Sequence, residues 1–222
     1  MDEEAEHNLP GLISSIAVQK RNKKRYSIFV DEQFLMGVSE DTLITFDLSM
    51  GKNITPALFR KLQREEGRFA IKKYLLKLLA RRAHARKELM NKAIRKDYPR
   101  EIIDSLLDEL ERKGYINDVD FARSFARDKY KMNRWGPVKI KAHLLKKGVG
   151  HTEAERSIQA AFKDEDLEET FIHLISKRKR RYQREENLLK RKKKVISYLA
   201  QKGYYASDIY DSIDRLMMLI EK

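Results

Sequence analysis

One pattern of apolar residues and helix-ending signals recurs three times after residue 68. Each copy contains a short amphipathic helix with an equivalent apolar residue, which is Leu89, Ile140 or Val195. Another apolar helix precedes each short helix, and a second amphipathic helix follows it. The sequence therefore predicts a unit of three helices, about 50 residues long and used three times, in which each unit covers its neighbour's apolar face.

The middle copy has the clearest helix boundaries. Gly136 fits an N-cap and Pro137 fits the first helical position, where a missing N–H removes no intrahelical bond. Ile140 and Leu144 are four residues apart and therefore share one face of the helix. Gly148 fits the left-handed residue that ends many helices. These signals predict one short helix with both ends marked.

The segment before residue 68 has a different pattern. Two β-favouring runs around a short polar turn, and a third run after them, predict a hairpin with an additional strand. Thr55 as N-cap and Pro56 then begin a predicted helix, which is expected to end at Gly67. Residues 1–10 are predicted to form a disordered acidic tail.

The predicted fold class is mostly α, an elongated tandem array of three three-helix repeats with a small N-terminal module that contains a β-hairpin. We place the module at residues 1–67 and the repeats at residues 68–116, 117–164 and 165–222. A few strands make too small a core to be stable alone, so we expect the module to pack on neighbouring helices.

The charge of the chain restricts its partners. Its 222 residues have a formal net charge of +14, which favours nucleic acid or a partner already bound to nucleic acid. The absence of cysteine excludes a disulfide framework and thiolate metal sites. No apolar run approaches the ~20 residues of a membrane span, and the acidic N-terminus lacks the features of a signal peptide. We expect a cytoplasmic monomer with no membrane partner.

The sequence contains no recognisable catalytic motif. Gly51-Lys52 lacks the upstream glycine and the following Ser or Thr of a phosphate-binding loop. The five histidines form no i, i+4 pair and no zinc-protease pattern, so surface roles are favoured over metal ligation. We therefore expect a protein that is not an enzyme and that uses no cofactor or metal.

Basic clusters provide the candidate binding residues. They recur at equivalent places in successive units, and residues 177–194 hold eleven Lys or Arg against two Glu. Rows of cations fit a phosphate backbone without reading bases, although such rows also serve commonly as solvated faces. The only tryptophan, Trp135, is predicted to pack at a junction between repeats. The cations predicted to bind nucleic acid or a filament are Arg81, Arg82, Arg86, Arg134, Lys139, Lys141, Lys146, Lys147, Lys177, Arg178, Arg180, Arg181, Lys190, Arg191, Lys192, Lys193 and Lys194.

A family resemblance rests on motifs in the first two repeats. Arg134-Trp135-Gly136-Pro137, with Ile140, Leu144 and Gly148-Val149, resembles the central motif of the RecX family, regulators of the RecA recombinase. The segment at residues 110–118, which leads to Phe121-Ala122, is also similar to that family. These motifs are specific in combination, although none of them marks a catalytic centre.

The resemblance covers about residues 68–222, including Tyr74-Leu75-Leu76 in the first unit. The run from Ile16 to Val38 is similar to the β-rich module of longer family members. Asp97 stands where the family pattern has a closing glycine, and the third unit is unusually rich in lysine. We therefore expect the local backbone geometry near Asp97 and in the third unit to differ from the family pattern.

The resemblance implies a modulator that is not an enzyme. It implies binding to RecA filaments on DNA, along the filament groove, in recombination, DNA repair and the SOS response. It also implies inhibition of ATP hydrolysis, strand exchange and the co-protease activity of the filament.

Other functions fit the same residues. A sequence-independent DNA-binding repeat protein or a helix-turn-helix-like regulator would contact DNA directly, but the candidate helices present mostly Lys rather than base-reading side chains. An RNA-binding protein would show exposed aromatic residues for stacking. A purely structural adaptor would bind without a strong dependence on salt. Binding to filaments compared with naked DNA at several salt concentrations distinguishes these functions.

Overall fold

The computed structural model describes residues 9–221, so most of the predicted acidic tail lies outside the described residues. The described chain is mostly helical and contains one antiparallel sheet near its N-terminus. It divides into two compact units. Of the described residues, the first unit contains 9–80 together with Ala93–Leu106, and the second contains Arg81–Lys92 together with 107–221.

The first unit is built on a four-stranded antiparallel sheet, which confirms the predicted hairpin and third strand. The strand order is β3-β2-β1-β4, and β4 pairs with the beginning of β1. The hairpin is closed by a two-residue turn, because Gln19 pairs with Asn22. The strands are β1 (Gly11–Gln19), β2 (Asn22–Val30), β3 (Gln33–Ser39) and β4 (Asn53–Ile54).

One face of this sheet is covered by helices. Helix α1 (Glu40–Thr45) follows β3 directly, and the Ser39 hydroxyl caps it by accepting from the Thr42 amide. Helix α2 (Pro56–Leu79) begins at the predicted Thr55 cap. The buried core of this unit contains Ile13, Ile28, Val30, Val38, Leu48, Ile54, Phe59 and Leu62.

The predicted helix end at Gly67 is wrong, because α2 continues without interruption to Leu79. Gly67 does not have the positive φ of a helix-closing glycine. An interior glycine costs a helix only about 1 kcal/mol relative to alanine. Burial of Leu62 on one side and Ile71 on the other outweighs that penalty.

The remaining helices follow the predicted threefold pattern. The first repeat includes α3 and α4, the second contains α5 to α7, and the third contains α8 to α11. Leu89, Ile140 and Val195 are all fully buried, as their predicted equivalence requires. The helices are α3 (Arg86–Ile94), α4 (Arg100–Arg112), α5 (Asp118–Asn133), α6 (Pro137–Lys146), α7 (His151–Phe162), α8 (Leu167–Ser176), α9 (Lys179–Gln183), α10 (Leu188–Lys202) and α11 (Ala206–Glu221).

The second and third repeats each have their own apolar core within the second unit. Ile140 and Leu144 belong to one core, and Val195 and Leu199 belong to the other. Phe162 packs against both cores. The second and third repeats therefore share buried surface.

We call the turn that follows the middle helix of a repeat its closing turn; in the second unit the closing turns lie at Gly148 and Gly203. Each of them packs on the beginning of the middle helix in the preceding repeat. A Cβ placed on Gly148 would lie 2.6 Å from Cβ of Lys87, and one on Gly203 would lie 2.5 Å from the main-chain nitrogen of Lys139. The Gly136 amide donates to the Lys202 carbonyl at 2.8 Å. These contacts explain why glycine occupies both closing positions.

Candidate nucleic-acid interface

The third repeat departs from the second between its first and middle helices. Only residues 134–136 separate α5 from α6, whereas residues 177–187, which include the short helix α9, separate α8 from α10. Helix α10 also begins one turn early, because the equivalence of Ile140 and Val195 would start it at Lys192. The Asn187 side chain caps this additional turn by accepting from the Lys190 amide at 3.0 Å.

This additional segment forms a cavity that we call the cationic cleft. Its volume is about 290 Å³, and it lies between the α8–α9 segment and α10. Two arginines and two lysines line it, and none of its lining residues is acidic. The lining residues are Arg178, Arg181, Tyr182, Lys193, Lys194, Ser197, Tyr198 and Gln201.

Two tyrosines form the aromatic part of the cleft. The Arg178 guanidinium lies over the Tyr198 ring, with its central carbon 4.0 Å from the ring centroid. Tyr182 is buried, and burial raises the pKa of its phenol above the usual range. The stacked ring helps to hold the guanidinium in place within the cleft.

Cations around the cleft lie close enough to oppose one another. Burial lowers the pKa of Lys202, and the positive charges of Lys139, Arg178 and Lys177 lower it further. The Lys202 ammonium also donates to the Asn133 carbonyl at 3.0 Å. A bound anion would relieve this repulsion, because opposite charge favours the protonated form of each lysine.

Several of the predicted binding cations form ion pairs within the protein. Arg86 contacts Asp108 at 2.6 Å and Glu111 at 2.9 Å. The Arg191 side chain is only 12% exposed, and its Nε donates to the Glu185 carbonyl. The run at residues 190–194 is therefore not one solvated face. The paired cations of the predicted set are Arg82, Arg86, Lys141, Lys147, Arg191, Lys192 and Lys194.

Another group of predicted cations forms no ion pair with any residue in the range 9–221. All of these side chains belong to exposed residues, and most of them lie in the third repeat near the cationic cleft. They are Arg81, Lys146, Lys177, Arg180, Arg181, Lys190 and Lys193. No ion pair within the described residues therefore occupies these side chains.

Trp135 lies in the short loop between α5 and α6 and is half-buried. Its ring packs against His143 with a centroid separation of 4.6 Å and an angle of 38° between the ring planes. The Lys139 ammonium lies 4.7 Å from the indole centroid and the Lys129 ammonium lies 5.2 Å from it. Trp135 thus packs inside the second repeat and also lines a cavity of about 510 Å³ beside Phe125.

The neighbours of Trp135 connect the second and third repeats. Val138 donates its amide to the Gly203 carbonyl at 2.9 Å. The Tyr204 hydroxyl donates to the Arg134 carbonyl at 3.1 Å. Arg134 itself has a left-handed backbone, and its guanidinium lies over the Tyr130 ring. Main-chain groups of residues 134–138 therefore contribute to the contact between these repeats, and a Cβ on Gly136 would lie 2.4 Å from the Gly203 carbonyl.

Residues 9–221 contain neither a metal-binding cluster nor a membrane-spanning helix. No group of three or more His, Cys, Asp and Glu side chains in that range is arranged to hold a metal ion. No helix there is long and apolar enough to cross a membrane. His84 is buried, and its Nδ1 lies 2.9 Å from the Arg82 carbonyl.

Sequence reasoning missed the aromatic lining of the cleft. Tyr182 and Tyr198 lie within or beside the basic run, and aromatic residues between cations often mark nucleic-acid sites. Lys129 and Lys202 were also missed, because each comes close to other cations only after the helices pack. The tyrosines between the basic residues are the sequence signal that could have indicated this aromatic lining.

The fold defines a class of proteins built from helical repeats, and most of its predicted binding cations without an ion pair in residues 9–221 lie in the third repeat. The regulatory protein RecX of Bacillus cereus is 32% identical to this chain, over 92% of the chain and 77% of the relative. The chain belongs to the RecX family of regulatory proteins, a family without catalytic activity. Family models for the RecX N-terminal domain and its first, second and third three-helix domains match residues 11–55, 72–110, 117–157 and 164–213.

Further relatives and solved structures agree with this membership. The regulatory protein RecX of Listeria monocytogenes is 29% identical over 95% of this chain and 82% of the relative. A crystal structure of regulatory protein RecX superposes with a TM-score of 0.73 at 26% identity, covering 92% of this chain and 99% of that one. RecX from Lactobacillus salivarius gives a TM-score of 0.57 at 25% identity, covering 71% of this chain and 98% of that one.

Proposed function

We propose that this protein binds RecA nucleoprotein filaments in the cytoplasm and mainly inhibits the recombinase, ATPase and co-protease activities of RecA. The observation that carries the proposal is the concentration of unpaired cations in the third repeat of a RecX family member. A nucleoprotein filament presents phosphates and acidic protein groups along one continuous surface. Rows of cations on stacked helices match such a surface without reading bases.

The proposed domain organisation supports this role. Separate repeats, which we place at 68–116, 117–164 and 165–222, could each contact a different part of a filament made of identical protomers. The protein would act as a monomer on such a filament, and repeated contacts would raise the overall affinity through effective concentration. The N-terminal module, which we place at 1–67, would be the remaining domain.

The test measures ATP hydrolysis by the cognate RecA on single-stranded DNA while the protein is added. We expect the rate to fall at stoichiometric ratios, and we expect no ATP hydrolysis by the protein alone. An unchanged RecA rate, with the protein shown to be folded by circular dichroism, would contradict the proposal. ATP hydrolysis by the protein alone would contradict its assignment as a regulator without catalytic activity.

Direct, sequence-independent DNA binding is a second candidate function, and the exposed cations without ion pairs favour it. The two functions differ in their preferred partner. A filament regulator binds RecA on DNA more tightly than naked DNA at equal salt, whereas a protein that contacts DNA alone binds naked DNA at least as tightly as the filament. Affinities measured over a series of salt concentrations decide between them, because counterion release dominates binding to naked DNA.

A further inference from the structure

The cationic cleft occupies a place that is covered in the other two repeats. In the second repeat, Lys139 at the beginning of α6 lies beneath the closing turn at Gly203. In the first repeat, Lys87 at the beginning of α3 lies beneath the turn at Gly148. Because Val195 corresponds to Ile140, Lys194 corresponds to Lys139, and Lys194 lines the cleft. The cleft is therefore the repeat-docking position of the third repeat.

The third repeat has lost the main-chain groups that a closing turn uses. Gly136 and Val138 donate their amides to the turn in the second repeat. The corresponding residue Arg191 donates its amide to the Asn187 carbonyl at 2.9 Å, inside the additional helical turn of α10. A turn that docks in the same way would find no free amide there. Side chains, rather than the backbone, provide the donors at this position.

The charge of the cleft also excludes a closing turn from a second copy of this chain. The two closing turns carry lysines, Lys146-Lys147 before Gly148 and Lys202 before Gly203. Such a turn would bring positive charge against the four cations of the cleft. Like charges in contact disfavour association by several kcal/mol. The charge of the cleft therefore favours an anion as its occupant.

The cations beyond the cleft favour a polymer of regularly spaced charges. Unpaired cations continue from the cleft along the α8–α9 segment and the first turn of α10, at Lys177, Arg180 and Lys190. Nucleic acid presents one charge at every residue, so each of these side chains would find a phosphate. Carboxylates in a protein segment are scattered, so a row of cations would leave most of its charge unpaired.

We propose that the cationic cleft binds a backbone phosphate of nucleic acid, with the exposed side chains of Arg181 and Lys193 as its donors. This inference rests on the proposed function for the identity of the polymer, which is the DNA of the filament. Arg178, held on the Tyr198 ring, provides a third positive charge. Lys194 contributes less, because its ammonium is paired with Glu185 at 2.6 Å.

The test uses the double variant Arg181→Gln/Lys193→Gln in the full chain. Gln retains helix propensity, and neither side chain forms an ion pair within residues 9–221, so folding should be unaffected. The matched control is Lys131→Gln/Arg156→Gln. It removes the same charge from exposed helical positions of the second repeat that lie outside the cleft and form no ion pair with described residues.

The probe is a fluorescent oligothymidylate, titrated at several salt concentrations without RecA. The cleft variant should bind about tenfold more weakly than the wild type. Its salt slope should flatten by about 1.4, which corresponds to the loss of two contacts to a single strand. The control should retain an affinity within about threefold of the wild type, because screening weakens distant charges. Equal losses in the two variants, or no loss in either, would overturn the inference.

Competition identifies the class of ligand. Pyrophosphate and a duplex oligonucleotide should displace the probe from the wild type, and the strength of the duplex relative to unlabelled oligothymidylate distinguishes double-stranded from single-stranded sources of the phosphate. Displacement by an oligoglutamate peptide at lower concentration than by either phosphate compound would overturn the inference in favour of an acidic protein partner.

Two further measurements address any destabilisation of the cleft variant and separate the cleft proposal from the proposed function. If the cleft variant melts at a lower temperature, the exchange Arg181→Lys/Lys193→Arg retains both charges and should restore binding; failure of that restoration counts against the cleft. A wild-type protein that binds the probe but leaves RecA unaffected would refute the proposed function alone. A cleft variant that binds the probe normally, in a protein that inhibits RecA, would refute the cleft alone.

Discussion

The closing turn of each middle helix has a residue with a left-handed backbone, and in two of the three repeats that residue also lies close to the preceding repeat. Gly148 and Gly203 have φ of +92° and +94°, and both also lie against the preceding repeat. Asp97, in the corresponding position of the first repeat, has φ of +59° and is exposed. Aspartate tolerates the left-handed conformation because its short polar side chain can form a local hydrogen bond. Its side chain would leave no room for the close contact that Gly148 and Gly203 make with the preceding repeat. The sequence departure at Asp97 therefore leaves the turn unchanged.

Replacement of Gly203 by alanine affects both the left-handed backbone and the close contact, and comparison with Gly114→Ala separates their costs. Gly203→Ala should destabilise the protein by more than about 2 kcal/mol, because the methyl group would combine backbone strain with a clash against the main chain of Lys139. Gly114→Ala is the control, because Gly114 has φ of +75° but no atom within 4 Å of the added carbon. It should cost about 1–2 kcal/mol from strain alone. Equal losses in urea unfolding would show that the close contact is unimportant.

The carboxylate of Glu88 lies between two cations, and these ion pairs make the stability of the second unit depend on pH. Glu88 lies 2.6 Å from Arg82 and 3.1 Å from Lys147, which joins the first and second repeats. Burial would raise the pKa of this carboxyl, but hydrogen bonds from Arg82 and Lys147 lower it to about 2. Because the folded pKa lies below the ordinary 4.5, Glu88 stabilises the folded state above pH 4.5 and loses that effect as the pH falls toward 2.

Glu88→Gln should lower the free energy of unfolding by roughly 1–2 kcal/mol at neutral pH. The difference from the wild type should shrink as the pH falls from 4.5 toward 2, where the wild-type carboxyl also becomes neutral. Glu168→Gln is the control, because Glu168 pairs with Arg215 on an exposed surface, and such pairs contribute little. Urea unfolding across this pH range measures both variants. A pH-independent difference would contradict the assigned role of the ion pair.

At the scale of elements, helix α2 shows where a local signal was misleading. The pattern at Thr55 and Pro56 located the beginning of the helix correctly, because caps are determined by neighbouring residues. Gly67 was expected to end the helix, but its effect depends on whether buried contacts continue beyond it. Those contacts come from Ile71 and Leu75, whose burial is a tertiary property. Propensity alone could not reveal this, since packing often outweighs it.

The same helix provides a direct test. Gly67→Ala should stabilise the protein by about 0.5–1 kcal/mol, because an added Cβ meets no atom within 4 Å and alanine favours the helical backbone. Thermal unfolding followed by circular dichroism should show a higher midpoint. If Gly67 instead closed a helix with a left-handed backbone, the same substitution would lower that midpoint.

Across the whole molecule, the repeat pattern predicted the fold better than it predicted the site. Leu89, Ile140 and Val195 were identified correctly because buried helical positions recur with the period of the helix. The sequence also identified the basic third repeat, but it could not distinguish Arg191, which is turned inward, from Lys193, which is free. That distinction depends on partners such as Glu221, which are distant in sequence.

The shared contacts of the second and third repeats predict that these repeats unfold together. Trp135, the only tryptophan, reports on the second repeat. Ile213 is buried in α11 of the third repeat, so Ile213→Ala should cost about 2–5 kcal/mol and should shift the unfolding midpoint seen by Trp135 fluorescence. Ile172→Ala, at a position that is 38% exposed, should shift that midpoint little. An unchanged midpoint for Ile213→Ala would show that the two repeats unfold independently.

The hydrogen bonds at the start of α6 also determine when the second repeat can be completed during synthesis. The amides of Gly136 and Val138 are satisfied by carbonyls of Lys202 and Gly203, which leave the ribosome much later than α6 does. Until then, water must bond those amides, and the apolar face beside them remains uncovered. A ribosome that stalls within the third repeat therefore exposes an unfinished second repeat. The final helices complete a part of the molecule that was translated long before them.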